Sequence, residues 1–219
     1  MEIRVVEKVL KVNDELAQAV RDRLRPLGVA TVNMISAPGS GKTTLIERAV
    51  EALGAARRIQ VIEGDPDTTL DAERIAATGA PVVQINTAGG CHLEANLVLR
   101  ALEQLDLAPG DLLVIENVGN LVCPVSFDLG EDKRVAVVSV TEGHDKPAKY
   151  PKLFRCADLV VLNKIDLLPH VDFDVARFRE YVEKLQPGVP VLDVSCRTGE
   201  GVDAWADWLR ALGPADAVR

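Results

Sequence analysis

The residues most clearly arranged for chemistry form a glycine-rich loop, SAPGSGKTT, at positions 36–44. It stands between an apolar run and a helix-like stretch. It fits the phosphate-binding pattern G-x-x-x-x-G-K-[ST], except that Ser36 occupies the position of the first glycine. Glycines let backbone amides surround an anion, the lysine reaches the β- and γ-phosphates, and the next hydroxyl ligates Mg²⁺. The loop therefore predicts a nucleoside triphosphate site made of Gly39, Ser40, Gly41, Lys42, Thr43 and Thr44.

A second motif, NKID at 163–166, directly follows the apolar run LVVL and indicates which nucleobase is bound. A carboxylate there can accept two hydrogen bonds from the N1–H and the exocyclic amine of guanine, a donor pair that adenine lacks. Asp166 therefore favours GTP over ATP, and we expect Asn163 and Lys164 to support the loop and the ring. The segment SCRTG at 195–199 resembles the last guanine-contacting loop of GTPases, which adds Ser195 and Cys196 to the predicted nucleotide-binding residues.

Acidic residues stand at the ends of two further predicted strands, where Asp65 ends the second and Glu116 follows the run LLVI. Because parallel sheets place ligands beyond the carboxyl ends of their strands, both should face the phosphate loop, and oxygen ligands suit Mg²⁺. The predicted Mg²⁺ ligands are Thr43, Asp65 and Glu116, and the predicted catalytic residues are Lys42, Asp65, Asp71 and Glu116. For Asp71, a surface carboxylate in the first turn of a helix is an equal alternative.

The loop after Glu116 has the form Glu-x-x-Gly, ending at Gly119, in which the glycine amide of many GTPases senses the γ-phosphate. Neither an arginine finger nor a water-orienting glutamine can be placed in this chain. We therefore expect slow hydrolysis that depends on a partner or on dimerisation, and a switch more than a fast catalyst.

The four cysteines have different surroundings. Cys91 and His92 stand at the start of a predicted helix, a position that lowers the pKa of a thiol, and Cys123 lies in the proposed switch loop. Two thiolates and an imidazole suit Zn²⁺, Ni²⁺ or Cu(I). Three ligands cannot complete a four-coordinate structural site, whereas a dimer contributing them twice can; buried thiols without a metal are the alternative. Cys156 is expected in the core and Cys196 in the base loop.

Apolar runs rich in β-branched residues alternate with amphipathic stretches, which is typical of a parallel sheet covered by helices on both faces. The predicted strands are 29–35, 59–62, 82–85, 112–115, 135–140, 159–162 and 189–192, and the predicted helices are 43–53, 70–78, 93–105, 174–186 and 202–212. An N-terminal helix over 7–25 has an apolar stripe of Val9, Val12, Leu16, Ala19, Val20 and Leu24. The pattern predicts a single α/β P-loop GTPase domain with a mostly parallel sheet at 29–213, a helical extension at 1–28 and a tail at 214–219.

Composition narrows the class of partner. The chain has 219 residues, 25 basic and 33 acidic side chains, and a net charge of −8, which disfavours nucleic-acid binding. No apolar run approaches the roughly 20 residues of a membrane span, and the N-terminus lacks the apolar stretch of a signal peptide. We therefore expect a cytoplasmic protein whose thiols bind metal, react or are buried instead of forming disulfides.

Together these segments resemble the hydrogenase nickel-incorporation GTPases, the HypB family of SIMIBI-class P-loop GTPases, over nearly the whole chain. The specific pieces are SAPGSGKTTLIE, EGDPDTTLDAERI, the Gly-Cys-His step, IENVGNLVCP, TEGHDKPAKYPKLF and VVLNKIDLLP. The resemblance implies a GTPase that forms a homodimer with GTP and delivers nickel to the large-subunit precursor of [NiFe]-hydrogenase. It implies an interfacial Ni²⁺ or Zn²⁺ site at Cys91, His92 and Cys123, and cooperation with a HypA-type nickel chaperone.

The chain also departs from some members of that family, which carry an N-terminal CxxC-type nickel site or a His-rich stretch. Here the first cysteine is Cys91 and the first histidine is His92, so we expect neither feature. Lys146 and Lys149 match the family pattern without an assigned role. The competing interpretations are a GTPase of urease or cobalamin-enzyme maturation, a small-molecule kinase, and a redox role for the thiols.

Overall fold

The central sheet is all-parallel and has seven strands. The computed structural model describes residues 5–213, except for the side chains of 5–9 and 55, so the tail predicted at 214–219 lies outside the described residues. The strands are β1 (Ala30–Ser36), β2 (Ile59–Asp65), β3 (Val82–Asn86), β4 (Leu112–Glu116), β5 (Lys133–Ser139), β6 (Leu159–Asn163) and β7 (Val191–Val194). They are ordered β3-β2-β4-β1-β5-β6-β7, and every neighbouring pair is parallel.

Helices cover both faces of this sheet. They are α1 (Val5–Leu24), α2 (Lys42–Leu53), α3 (Leu70–Ala77), α4 (Ala95–Leu102), α5 (Lys146–Lys149), α6 (Pro151–Arg155), α7 (Val175–Leu185) and α8 (Val202–Ala211). Side chains of α2, α3 and α8 pack in one apolar cluster against one face. On the other face α1 and α4 form one cluster, and α6 and α7 form a second. β1, β4 and β6 are buried along their whole length because helices lie on both sides, which explains their continuous apolar runs.

The α/β fold class expected from the alternation of patterns is confirmed. All seven strands and the five helices expected after β1 are present, with ends displaced by a few residues at most. The largest displacements are of three residues, at the end of α4, which spans Ala95–Leu102 instead of 93–105, and at the end of β2, which extends to Asp65 instead of 62. The short helices α5 and α6 were not among the predicted helices because each has too few residues for an amphipathic period. The division into an extension at 1–28 and a GTPase domain at 29–213 stays a prediction.

The buried face of α1 differs from the predicted stripe. Val12 is 56% exposed and Ala19 is also exposed, whereas Asn13, Ala17, Val20 and Leu24 are buried. The spacing is still helical, but the stripe is rotated toward Asn13, whose side-chain amide has hydrogen-bond partners in the interior. Leu16 is half-buried, and the side chain of Val9 lies outside the described residues.

The sheet order determines where a ligand can bind. β1 lies between β4 and β5, at the centre of the sheet, and the chain passes from the end of β1 into the glycine-rich loop and α2. Ligands of open parallel sheets bind beyond the carboxyl ends of the strands, near the point where the connections diverge. Within residues 5–213, no helix is sufficiently long and apolar to cross a membrane.

Candidate nucleotide and metal sites

The phosphate loop connects the end of β1 to the first residue of α2. Gly39 and Gly41 have backbone φ angles of +71° and +98°, which residues other than glycine rarely adopt. A Cβ on Gly41 would also lie 2.4 Å from Nδ2 of Asn163, which is closer than real Cβ atoms come. The backbone φ angle and the close approach of Asn163 therefore both require glycine at position 41.

Lys42 and Thr43 of this loop lie next to Glu116, a buried carboxylate at the end of β4. Nζ of Lys42 donates to Oγ of Ser36 at 3.0 Å and lies 3.9 Å from Oε1 of Glu116. Oγ1 of Thr43 donates to the same Glu116 oxygen at 2.9 Å. Ser36, which replaces the usual glycine, thus provides an oxygen that orients the lysine.

Three further carboxylates cluster next to this group. Oxygens of Glu63, Asp65 and Asp71 lie within 4.8 Å of one another. Together with Lys42 and Glu116, they line a cavity of about 200 Å³ beside the phosphate loop. One oxygen of Asp65 accepts backbone N–H groups of the following loop at 2.8 and 2.5 Å, which fixes its orientation. The structure therefore brings all four predicted catalytic residues to one cavity.

Two of these carboxyl groups hold their protons unusually tightly. Burial, and then the charges of Glu116 and Asp65, raise the pKa of Glu63 to about 8. Burial raises the pKa of Glu116 to about 7, although Lys42 and the Thr43 hydroxyl oppose this shift. Among the described residues, Oε2 of Glu63 and Oε2 of Glu116 are buried without a hydrogen-bond partner. Unpartnered carboxylate oxygens beside a hydroxyl are the hard donor set that Mg²⁺ prefers, so the residues present fit this ion.

The loops after β6 and β7, here called the base-side loops (residues 163–166 and 195–199), are joined to the phosphate loop. Asn163 donates to the carbonyl of Ser40 at 2.9 Å, and Lys164, with a φ of +61°, donates to the carbonyl of Gly39 at 2.6 Å. Oγ of Ser195 donates to Oδ1 of Asp166 at 2.7 Å. The surrounding pocket has a volume of about 390 Å³, and its lining includes Gly41, Thr44, Lys164, Asp166, Leu167 and Cys196.

A second cluster has softer ligands. Donor atoms of Cys91, His92 and Cys123 lie within 4.8 Å of one another, with Sγ of Cys91 3.5 Å from Nδ1 of His92. The imidazole stacks on Phe127 with ring centroids 3.9 Å apart. Its Nε2 is 3.6 Å from a carboxylate oxygen of Glu94, and within the described part of the chain it has no hydrogen-bond partner. The three residues predicted as Ni²⁺ or Zn²⁺ ligands are therefore neighbours at the surface.

One expectation about this cluster is wrong. Cys91 does not begin a helix, because α4 starts four residues later at Ala95. The pKa of the Cys91 thiol is raised instead of lowered, first by its hydrogen bond with Cys123 and then by partial burial. A neighbouring thiol thus replaces the helix dipole as the main influence, and a bound cation has to displace the proton.

All four cysteines are free thiols. Cys196 is buried in the base-side pocket, where burial raises its pKa to about 11. Cys156 is half-buried rather than fully in the core, and its Sγ donates to the carbonyl of Leu153 at 3.3 Å.

The two clusters are joined by the loop of residues 116–123. This loop passes the phosphate loop at Gly119, where an added Cβ would lie only 2.9 Å from Cα of Pro38. Glycine is required here by close approach of two backbones. Further along, Asn120 donates to the carbonyl of Cys91 at 3.4 Å. The same loop therefore touches both sites.

Sequence reasoning missed two residues of the nucleotide site. Glu63 stands two positions before Asp65 on β2, so the alternation of a strand places both on one face and could have identified it. Arg74 of α3 donates to Oγ1 of Thr44 at 2.9 Å and pairs with Glu47 of α2 at 2.8 Å. Arg74 also pairs with Asp71 of its own helix at 3.3 Å, but its contacts with Thr44 and Glu47 of α2 have no signal in the sequence because these residues are 27 or more positions away.

The two basic residues without an assigned role lie in a short helix. Nζ of Lys146 is 3.7 Å from a carboxylate oxygen of Glu142 and lies over the ring of Tyr150. Lys149 is exposed and pairs with Asp145 at 2.6 Å. Both contacts are local, and neither assigns a function.

The geometry defines a class before any relative is considered. A glycine-rich loop leads from the central strand of a parallel sheet into a helix, and carboxylates from β2 and β4 face it. This is a P-loop nucleotide-binding protein.

Comparison with known proteins narrows the class to a family. The CobW/HypB/UreG nucleotide-binding domain matches residues 30–193. The chain is 52% identical to the hydrogenase maturation factor HypB of Azotobacter chroococcum mcd 1, covering 94% of this chain and 68% of that protein. A crystal structure of HypB from Archaeoglobus fulgidus is 42% identical with a TM-score of 0.85, covering 92% of this chain and 98% of that one. HypB from Helicobacter pylori in complex with nickel is 38% identical with a TM-score of 0.86, covering 90% and 93%. The chain belongs to the CobW/HypB/UreG family and, within it, to the hydrogenase maturation factors HypB.

Proposed function

We propose that this chain is a GTP-hydrolysing metallochaperone that inserts nickel into [NiFe]-hydrogenase during maturation. The observation that carries the proposal is that one loop, residues 116–123, joins a buried nucleotide site to a surface cluster of two thiols and an imidazole. The relative from Helicobacter pylori is described in complex with nickel, which supports nickel as the cargo.

GTP is the nucleotide that the base-side loops fit. Asp166 presents a carboxylate whose second oxygen and remaining lone pairs can accept from guanine, while Ser195 fixes its orientation. Lys42 and the loop amides bind the phosphates. Thr44 and Cys196 line the adjoining base-side pocket, where both would contact the nucleotide.

Thr43, Asp65 and Glu116 would hold Mg²⁺, which when bound neutralises charge on the β- and γ-phosphates. Glu63 is close enough to join this set, and its unpartnered oxygen adds a fourth hard donor. Asp71 lines the same cavity as a candidate for positioning the attacking water. We expect slow intrinsic turnover, because the described residues that line the cavity include neither arginine nor glutamine and Arg74 reaches it only through Asp71.

The cargo site needs a second copy of the chain. Cys91, His92 and Cys123 give three ligands on one surface, and a four-coordinate ion needs at least one more. Val122, beside Cys123, is 59% exposed, so the surface also has apolar area to bury in a homodimer. Both Ni²⁺ and Zn²⁺ accept these ligands.

GTP would favour that dimer through the loop that ends at Cys123. A γ-phosphate beside Gly119 orders residues 116–123, and Cys123 then approaches the partner's surface together with Cys91 and His92. Hydrolysis releases the loop and lowers the affinity for the metal, so metal and nucleotide must affect each other's binding reciprocally. A HypA-type chaperone as metal donor, the hydrogenase large-subunit precursor as acceptor and a cytoplasmic location complete the proposal.

The test is a titration of dimer formation and Ni²⁺ stoichiometry with GDP and with a non-hydrolysable GTP analogue, by analytical ultracentrifugation and equilibrium dialysis. We expect the analogue to produce dimers that share a single Ni²⁺ between two chains, bound more tightly than with GDP. A Cys156→Ser variant serves as the matched thiol control and should behave like wild type. Equal Ni²⁺ affinity and equal oligomeric state with both nucleotides would overturn the coupling.

A further inference from the structure

Two buried asparagines contact the backbone of the metal-ligand segment, defined here as residues 91–95. Asn117 accepts the N–H of Leu93 at 3.2 Å, and Asn13 accepts the N–H of Ala95 at 2.9 Å. Their side chains come from different elements, since Asn13 is on α1 and Asn117 directly follows β4. The same short segment is therefore attached to two separate parts of the fold.

Asn117 is attached to the nucleotide site. It is 1% exposed and follows Glu116, the carboxylate that accepts the hydroxyl of Thr43. Besides Leu93 it accepts the N–H of Val118 at 3.0 Å, and its Nδ2 donates to Oδ1 of Asn33 on β1 at 3.2 Å. The hydrogen bonds of this amide are thus directed to the central strand, the loop after β4 and the metal-ligand segment.

Leu93 makes a second contact with the nucleotide site. It is fully buried, and a Cβ on Gly64 would lie 2.8 Å from its side chain. Gly64 stands between Glu63 and Asp65, two carboxylates of the phosphate cavity. Leu93, which precedes Glu94 and follows His92, therefore contacts the ends of both β2 and β4.

Within the described part of the chain, the hydrogen bonds of the Asn13 side chain lead away from the phosphate cavity. Its Oδ1 accepts from Ala95, and its Nδ2 donates to the carbonyl of Asp128 at 2.7 Å. Asp128 in turn accepts two hydrogen bonds from Arg21 of α1, at 2.7 and 2.8 Å. These contacts attach the segment to α1 without touching the phosphate cavity.

We propose that Asn117 is a positioning residue that couples the nucleotide state to the Cys91–His92 half of the metal site. The inference rests on the proposed function and adds a second connection to the one through Cys123. The loop of residues 116–123 moves one thiol, and the hydrogen bond from Leu93 to Asn117 moves the other thiol and the imidazole. Both halves of the metal site then respond to the same strand end, because Glu116 and Asn117 are consecutive.

The experiment compares Asn117→Ala with Asn13→Ala, a matched control that removes the other buried amide bonded to the metal-ligand segment. The readout is the ratio of Ni²⁺ dissociation constants with GDP and with a non-hydrolysable GTP analogue. If the wild-type ratio is about 10, a typical coupling strength, Asn117→Ala should reduce it to about 3, because the connection through Cys123 remains. Asn13→Ala should change both constants equally and keep the ratio.

Each outcome decides between positioning and simple structural support. A wild-type ratio in Asn117→Ala, or an equal reduction of the ratio in Asn13→Ala, overturns the role of Asn117 while leaving the proposed function intact. A ratio of one in the wild type overturns the coupling itself, and with it this inference.

A measurement on the unmodified chain covers the case in which Asn117→Ala fails to fold. Amide hydrogen exchange at Leu93 should slow when the analogue replaces GDP, in the absence of Ni²⁺, while exchange at Ala95 stays the same. Equal changes at both amides, or none at Leu93, would contradict the proposal.

Discussion

The base-side loops and the Cys91–His92–Cys123 cluster differ in how completely their polar atoms are partnered within one chain. Asn163, Lys164 and Ser195 all have hydrogen-bond partners that fix them against the phosphate loop or against Asp166. In the Cys91–His92–Cys123 cluster, the neighbouring Cys123 raises the pKa of the Cys91 thiol, and Nε2 of His92 has no partner among the described residues.

This difference indicates how each site is completed. The base-side loops are preorganised, so a nucleotide can bind to a single chain without first ordering them. The Cys91–His92–Cys123 cluster lies at the surface with Cys91 exposed. Its ligands have to lose protons, and a further donor has to join them, before a cation is enclosed. Nucleotide binding is therefore expected to precede metal capture.

The largest effect is expected from a variant that removes guanine recognition from the base-side loops. Asp166→Asn replaces a charged acceptor of two guanine hydrogen bonds, and GTP affinity should fall by about 10³-fold. Preference should move toward xanthosine nucleotides, which present the complementary pattern. Isothermal titration with both nucleotides measures this, with the exposed Asp172→Asn as control. Unchanged GTP preference would mean that the base binds elsewhere.

A smaller effect is expected when a ligand is removed from the Cys91–His92–Cys123 cluster. Cys91→Ser removes a thiolate ligand, and Ni²⁺ or Zn²⁺ affinity should fall by at least about 100-fold, because even changes behind the ligands cost about 10–100-fold. GDP affinity should stay at its wild-type value. Competition with a chromophoric chelator measures the metal, and Cys156→Ser is the matched control. If Cys91→Ser and Cys156→Ser bind metal equally well, the cluster is not the cargo site.

The smallest effect concerns the phosphate cavity in the absence of metal and nucleotide. The folded-state pKa of Glu63 is about 8, against an ordinary value of 4.5, so the folded state keeps a proton that the unfolded state releases between these pH values. The stabilisation is fully present below the unfolded pKa and is lost as pH rises through the folded pKa. Glu63→Gln should therefore raise Tm by about 5 °C near pH 8 and leave it nearly unchanged near the unfolded pKa.

The control for this pH dependence of Tm is Glu15→Gln, a change at an exposed glutamate of α1. This variant should show no pH-dependent difference from wild type. Scanning calorimetry over the pH range measures both variants. A Glu63→Gln curve parallel to the wild-type curve would show that Glu63 does not carry the pH dependence.

Much of the fold and of the nucleotide site follows from contiguous stretches of sequence. The β-branched runs predict the strands because an all-parallel sheet is buried on both faces. The glycine-rich loop and the NKID motif predict their own geometry because the required backbone conformations and donors lie within a few residues. The proximity of Cys91 and His92 to Cys123 came from family resemblance and not from their spacing, since β4 lies between them in the chain.

The sequence therefore predicts local features: the strands, the phosphate loop and the base-recognition motif. Features that depend on distant residues follow only from the folded chain. Leu93 meets Asn117 across 24 positions, and Asn13 replaces Val12 on the buried face of α1 because its partners lie on α4 and beyond β4. The pKa values of Glu63 and Cys91 likewise depend on burial and on neighbouring groups that only folding brings together. Hydrogen bonds and electrostatic shifts act over a few ångströms of space, and a linear pattern does not contain those distances.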